Sequence, residues 1–491
     1  MEALILFLLP LLPLAAALVL IFFPEEKKEI FQNVVLWTSS LCLAGAVFLF
    51  LRFPAGAPGY HFVFRLEWLP QLGIQYQVGV DGIGMTLVLL LGLVSTSGAF
   101  ISLWIRERVK EYMIFYLVLI ASIYGVFTSL DLFFLYLFYE MSVVPMYPLI
   151  GIWGSQNKEY ASMKLTVYIT TGAVLALAGV LSFYGATGLK TFDLIAIGET
   201  LSRHPLAFDI QHWIAPFLLF GFGVIASLWP LHSWSPIGYA AAPSAVSMLH
   251  AGVLKKMGPY LMIRLLFTFL PEGAAAWFPV IAVLAAINII YAAFAAIDQK
   301  DLKFLIGFSS VSHMGYVLLG ITCANPTALS GTVLLMFSHG VMAASAFALV
   351  GYVYEKTHTR MVPDLGGLAK QLPFISVCFV MTALASAGVP GFPNFVSELL
   401  IFLGAWPLYR WPVIFAVLGI LFTSVYLLRA VRKVFYGPMT RRWDGAQDPQ
   451  GILGKFPFVL LLGSLLLFGF WPQGLLRIIQ PSVTALLGGG F

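Results

Sequence analysis

The chain has 491 residues, of which 60% are apolar and only 10% charged, with a formal charge of +5. A soluble domain carries about 25% charged residues, so this chain has too little polar surface to face water and belongs in a bilayer. Its three cysteines, Cys42, Cys323 and Cys378, lie far apart with no CxxC spacing. That excludes a disulfide framework and any iron–sulfur or zinc site as readings, and leaves each as a small buried apolar residue.

Fourteen apolar segments are long enough to cross about 30 Å of hydrocarbon. They lie near 3–23, 31–51, 79–104, 112–129, 131–153, 163–185, 212–234, 244–267, 275–297, 303–323, 326–353, 373–402, 409–437 and 455–476. The first has Glu2 as its only charge and an apolar run longer than the roughly 7–15 residues of a cleaved signal. It is read as a retained span. The fourth and fifth segments are separated only by SLD. The two longest connections, 52–78 and 186–211, are too short and apolar to fold alone and are expected on the membrane surface.

Orientation follows from lysine and arginine. With the amino terminus outside, the connections 24–30, 105–111, 154–164, 235–243, 298–303, 354–372 and 429–455 face inward and hold 18 basic residues. The outward ones hold Arg52, Arg65, Lys190, Arg203 and Arg410. The asymmetry predicts both termini outside. It also accounts for the net charge without nucleic acid or an acidic substrate, and a loop such as RERVKE at 106–111 reads as a solvated turn.

The stretch 216–260, two apolar runs hinged by a proline-rich break, carries His250, Lys255 and Lys256 where hydrocarbon-facing residues should be uncharged. An ionisable side chain at that depth costs at least about 2.5–3.5 kcal/mol, so it needs a reason. At about 1.5 Å per helical residue, Glu140 lies roughly 13 Å past Asp131 and Lys256 roughly 18 Å past Ser244. His313 and His339 fall at the same level in the tenth and eleventh spans, and Glu398 follows a break at 388–395. Five titratable groups on five helices thus form a midplane layer.

A lone midplane histidine such as His250 or His339 is as readily a helix–helix hydrogen-bond donor as a proton carrier. A glutamate and a lysine at one depth are harder to place without a path between them, because pairing is the inexpensive way to bury either. Acid, base and imidazole in alternation suit a proton relay. A strand–helix GxGxxG unit, a P-loop and a metal-ligand cluster are all missing from the sequence, so no cofactor or metal is expected in this chain.

In the seventh span Pro230 and Pro236 flank LHSW, and in the twelfth Pro390 and Pro393 sit beside Gly388 and Gly391. Broken helices free backbone carbonyls, which is tolerated where they line a cavity or are packed by protein. Two breaks five spans apart fit an inverted-repeat transporter. The expected fold is therefore an all-α, polytopic membrane protein of about 14 transmembrane helices in a single transmembrane domain, 1–491. Spans one to three occupy 1–111, two inverted five-helix repeats occupy 112–267 and 275–437, and the last span is 455–476.

The segments GVDGIGMTLVLL at 79–90, LYLFYEMSVVPMYPLIGIWG at 135–154, PLHSW at 230–234, APSAVSMLHAGVLKKMGPY at 242–260, DLKFLIGFSSVSHMGYVLLGI at 301–321, FSHGVMAASAFALVGYVYEKTHTR at 337–360, DLGGLAK at 364–370 and PGFPNFVSELLIFLG at 390–404 carry a resemblance. The chain resembles the antiporter-like membrane subunits of respiratory complex I, most closely the subunit M (mitochondrial chain 4) family. The resemblance implies breaks in helices 7 and 12 and one proton moved along central residues: Glu140 of span five, Lys256 of span eight, His313, His339 and the acid Glu398 of span twelve. It also implies partners among the other membrane-arm subunits, a bacterial inner membrane, and redox chemistry confined to those partners.

Two departures stand out. The lysine usual in the family's seventh span is Ile225 here, and the loop usually reading LPDAHxEAPT is SPIGYAAAPS. In exchange His250 stands where subunit M usually has an apolar residue, and Lys255 adds a second cation. The alternatives are a chain of an Mrp-type sodium/proton antiporter or a membrane-bound hydrogenase, and a structural subunit that no longer conducts.

Overall fold

The computed structural model describes residues 1–439, 443 and 445–488. Arg441 and Arg442, two of the basic residues assigned to the inward connection 429–455, lie outside the described residues. Among the described residues twelve helices are long and apolar enough to cross a membrane, and the chain is a multi-pass integral membrane protein. Two further apolar passages are each built from shorter pieces. One runs through Ser244–Gly252, a 3-10 turn Leu254–Lys256 and Met257–Phe269. The other consists of Pro373–Ser386 and Pro393–Ala405. Counted in, they give the fourteen expected spans.

Burial sorts the spans into a core and a rim. The third (Gly82–Ser102), tenth (Leu302–Thr322) and eleventh (Pro326–Thr357) are enclosed by protein almost throughout, whereas the first (Glu2–Ile21), second (Lys28–Arg52) and thirteenth (Arg410–Tyr436) have well under half of their residues buried. The eleventh span packs on the third, eighth, tenth and twelfth. It is the post around which the polar groups gather.

Both broken helices stop in the same way. Phe208–Ile225 is followed by Ala226 and then by Ser227 at φ 61°. There Ser227 N donates to Val224 O, and Leu228 N reaches back to Gly223 O at 2.8 Å. In the twelfth span Gly388 at φ 67° donates to Ala385 O, and Val389 N reaches Leu384 O at 3.1 Å. This paired back-bonding around a left-handed residue is the Schellman stop, which satisfies the carbonyls left over at a helix end. Each chain then turns and restarts, as Trp234–Ala241 in the first case and as Pro393–Ala405 in the second.

The fifth and tenth spans also begin alike. Asp131 caps its helix by accepting from Phe133 N and Phe134 N, and Asp301 does so from Lys303 N and Phe304 N. Each cap forms a β-bridge to the connection after the following span, Asp131 with Asp193 and Asp301 with Met361. These matched details support the expected pairing of spans four to eight with spans nine to thirteen.

The long connections lie together at one face. Residues His61–Leu69 (β1) and Ile74–Val80 (β2) form an antiparallel hairpin, the one addition to an otherwise helical fold among the described residues. Its Gln75 N donates to Asp131, and Phe192 N donates to Gly73 O, so hairpin and second connection dock on the start of the fifth span. The helix Leu194–Arg203 follows, with Leu194, Ile197 and Leu201 buried along one stripe. After the last span the chain makes one more helix, Gln473–Leu487, which places Arg477 on that face and ties Ser482 Oγ to Gly82 N at 2.8 Å.

Candidate functional site

The eighth span loses its α-helical ladder at Val253, and Leu254–Lys256 form a tight turn before the helix resumes. That irregularity aims two consecutive lysines, both fully buried, in different directions. Lys256 Nζ lies 2.8 Å from Nδ1 of His339 and also donates to the Ala251 carbonyl that the broken ladder leaves free. An ammonium carries only donors, so a charged Lys256 requires Nδ1 to be the unprotonated nitrogen of that ring. Lys255 Nζ instead reaches Ser310 Oγ at 3.4 Å and stands 5.2 Å over the Tyr239 ring.

The row continues beyond His339. Its ring stacks on His313 with centroids 5.0 Å apart and planes 22° apart. His313 has Nδ1 2.8 Å from Ser309 O and Nε2 3.1 Å from Ser386 O, and Nε2 is 4.0 Å from Glu398 Oε1. Both partners of the ring are carbonyl acceptors, so both contacts are hydrogen bonds only when both nitrogens carry protons. Glu398 is then the counter-charge. Ser386 offers its carbonyl because the Schellman stop at 387–389 ends the helix there, so the break positions the partner of His313 as well as Glu398.

Of the six residues that the sequence points to, Lys256, His339, His313 and Glu398 are therefore brought together across spans eight, eleven, ten and twelve. His250 is fully buried but stands apart, with neither ring nitrogen hydrogen-bonded and its ring 6.2 Å from that of Tyr239. Glu140 stands apart too. It is half-buried, and its carboxyl is held by the Tyr136 hydroxyl, which also lies 3.0 Å from Ala173 O. Between Glu140 and the lysines the packing is apolar: the Tyr139 ring meets Phe222 at 5.7 Å, and Ile225 closes against the backbone of Gly258. Position 225 holds a fully buried isoleucine where the resemblance implies a cation.

Other polar groups carry a weaker signal in the sequence. Arg264 and Asp81 form a buried two-pronged ion pair, with Nη1 2.7 Å from Oδ2, beneath the rings of Tyr60 and Tyr260. Arg264 lies eight residues past Lys256, and a lone arginine in an apolar run is the one sign of it. At the other end of the span, Lys303 Nζ donates to Ala242 O at 2.7 Å. Arg360 joins Asp301 to Ala240 O and Ser155 Oγ. Lys303, Arg360, Ser155 and Ala242 line a polar cavity of about 150 Å³. Its floor is the SPIGYAAAPS loop, whose missing acidic side chains are replaced by backbone carbonyls as partners for the two cations.

Residues 129–423 match the family model described as NADH:quinone oxidoreductase/Mrp antiporter, TM. The chain is 36% identical over 483 residues to NAD(P)H-quinone oxidoreductase chain 4 1 of Synechococcus elongatus, covering 97% of this chain and 90% of that one. It is 33% identical over 487 residues to NADH-quinone oxidoreductase subunit M of Rickettsia bellii, covering 97% of each. Among solved structures it is similar to a chain of respiratory complex I from Thermus thermophilus with bound NADH, with a TM-score of 0.89, 27% identity and 99% of each chain covered.

Proposed function

The chain belongs to the membrane-subunit family shared by NADH:quinone oxidoreductases and Mrp antiporters, and on that footing we propose that it moves protons as the subunit-M-type chain of a complex I assembly. The observation that carries this is the continuous row Lys256–His339–His313–Glu398, in which each titratable group meets the next at bilayer depth. Burial makes each protonation state sensitive to its neighbour's charge, because Coulomb interactions strengthen as water is removed. A proton accepted by Lys256 from one side lowers the affinity of the adjoining imidazole for its own. Displacement then runs along the row to Glu398.

Glu140 serves as a separate titratable group, apart from the row and held by Tyr136. A half-buried carboxylate at midplane depth needs cover, which the neighbouring membrane-arm subunit supplies, and charge movement there couples the chains. Electron transfer from NADH and reduction of quinone belong to those partners. The basic-residue asymmetry supports both termini on the outer face, and the likeness to subunit M of Rickettsia bellii supports a bacterial inner membrane. Lys256→Ala and Glu398→Ala in the assembled complex, assayed in inverted membrane vesicles, should each depress proton pumping while assembly is kept. Undiminished pumping in both would leave the chain as a structural subunit.

A further inference from the structure

Buried polar atoms without hydrogen-bond partners occur in several spans among the described residues, and one group of them lies around the break in the seventh span. That group includes His232 Nδ1, Ser235 Oγ, Tyr239 Oη and both ring nitrogens of His250. Leaving such atoms unpaired costs about 1–3 kcal/mol each, and water is the usual partner of buried polar groups where a site has room for it. The groups form a thread. Lys255 stands over the Tyr239 ring, and the Tyr239 ring faces His250.

The thread reaches the face of the protein at Lys164, the last residue of the inward connection 154–164. Lys164 is the seventh residue of the helix Lys158–Thr187, roughly 9 Å from its start. That helix has 30 residues and outruns the roughly 30 Å hydrocarbon core, so Lys164 sits about where hydrocarbon begins. Its ammonium lies 5.7 Å from the Tyr160 ring and 5.8 Å from the Tyr168 ring. Tyr168 Oη is 3.2 Å from Ser233 Oγ, next to His232. Both Lys164 and Lys255 act electrostatically on His232, which is 5% exposed.

We propose that Lys164 is the proton entrance of this chain, feeding the buried lysines through His232, Tyr239 and His250 along the break, in place of a lysine at position 225. The inference rests on the proton-moving function proposed above. The Lys164 ammonium gives its proton to water at the break, His232 takes one up and releases one on its far side, and His250 hands it to Lys255. The amine left on Lys164 is reprotonated from the aqueous face. One proton enters and one arrives, with no other bond changed.

A cation that merely anchors the helix at the interface would be replaced equally well by arginine, whereas a relay must release its proton and arginine does not. The test uses the assembled complex in inverted vesicles, with Lys164→Cys, Lys164→Arg and Lys256→Ala side by side. Cys42, Cys323 and Cys378 are buried, so aminoethylation rebuilds an amine at position 164 of this chain, and the wild-type complex treated alike is the control. Lys164→Cys should lose proton uptake, aminoethylation should restore it, and Lys164→Arg should remain impaired. Normal uptake in Lys164→Cys or in Lys164→Arg overturns the entrance. If uptake is lost in Lys256→Ala yet normal in Lys164→Cys, the entrance alone fails; if Lys256→Ala also pumps normally, the proton-moving function itself fails.

Discussion

Lys256 and His339 meet at 2.8 Å, ammonium nitrogen to ring Nδ1, and neither side chain has any exposed surface. Lys256 is the hydrogen-bond partner of the His339 ring, and removing it strands a fully buried imidazole, while removing His339 leaves Lys256 only the Ala251 carbonyl. Single substitutions Lys256→Met and His339→Leu should therefore each damage pumping about as much as the pair together. Groups that act as a unit show coupling of about 0.5–3 kcal/mol in double-mutant cycles. Additive losses in vesicle pumping rates would mean that the contact carries no proton.

Gly388 lies directly against the Glu398 carboxyl. A Cβ there would lie 2.6 Å from Glu398 Oε2, and the residue sits at φ 67°. Gly388→Ala should cost about 1–2 kcal/mol for the left-handed conformation alone, and it should push the carboxyl away from His313. A lower melting temperature of the purified complex with slowed pumping is the expected pair of results. The matching substitution Ser227→Gly relieves the same conformation at φ 61° and should raise stability by up to about 1 kcal/mol.

Asp81 and Arg264 link the start of the third span to the outer half of the eighth. Breaking a buried pair from one side costs about 3–5 kcal/mol, because a charge is left alone, while replacing both partners by apolar residues costs far less. Asp81→Asn should thus reduce the amount of assembled complex more than the double change Asp81→Leu with Arg264→Met. Native gels of the membrane fraction read this directly.

Tyr136 holds the Glu140 carboxyl. Tyr136→Phe removes a hydrogen bond to a charged group, worth about 1.5–3 kcal/mol, without emptying the site. Pumping should fall and assembly should stay. A response equal to that of Glu140→Gln would mark the pair as one functional element.

The row from Lys256 to Glu398 is legible in the sequence because an ionisable residue inside an apolar run is conspicuous, and counting residues gives its depth. Depth is only one coordinate. It sets Glu140 level with the lysines but cannot say which way the side chain points around its helix, and Glu140 turns to Tyr136 instead. The twelfth-span break is announced by glycine and proline. In the seventh, proline marks the break, but the residue that takes the left-handed turn is Ser227, whose type gives no such signal. The hairpin and the helix Gln473–Leu487 are hidden for another reason. Both carry a period of their own, alternation in Ile74–Val80 and one apolar stripe in Gln473–Leu487, but they lie at the membrane surface in stretches that read only as a connection and as the end of a span.

The placing of the two buried lysines also bears on how the chain enters the membrane. Ser310 and His339, which receive Lys255 and Lys256, lie 55 and 83 residues further along the chain. When the eighth span leaves the ribosome its partners have not been made, and each lysine at a helix centre costs about 2.5–3.5 kcal/mol on insertion scales. Two of them offset much of what the apolar residues of that span contribute. The eighth span therefore settles in lipid only once the tenth and eleventh have followed it, so the middle of this protein is inserted as a group while its first two spans, far more apolar, go in alone.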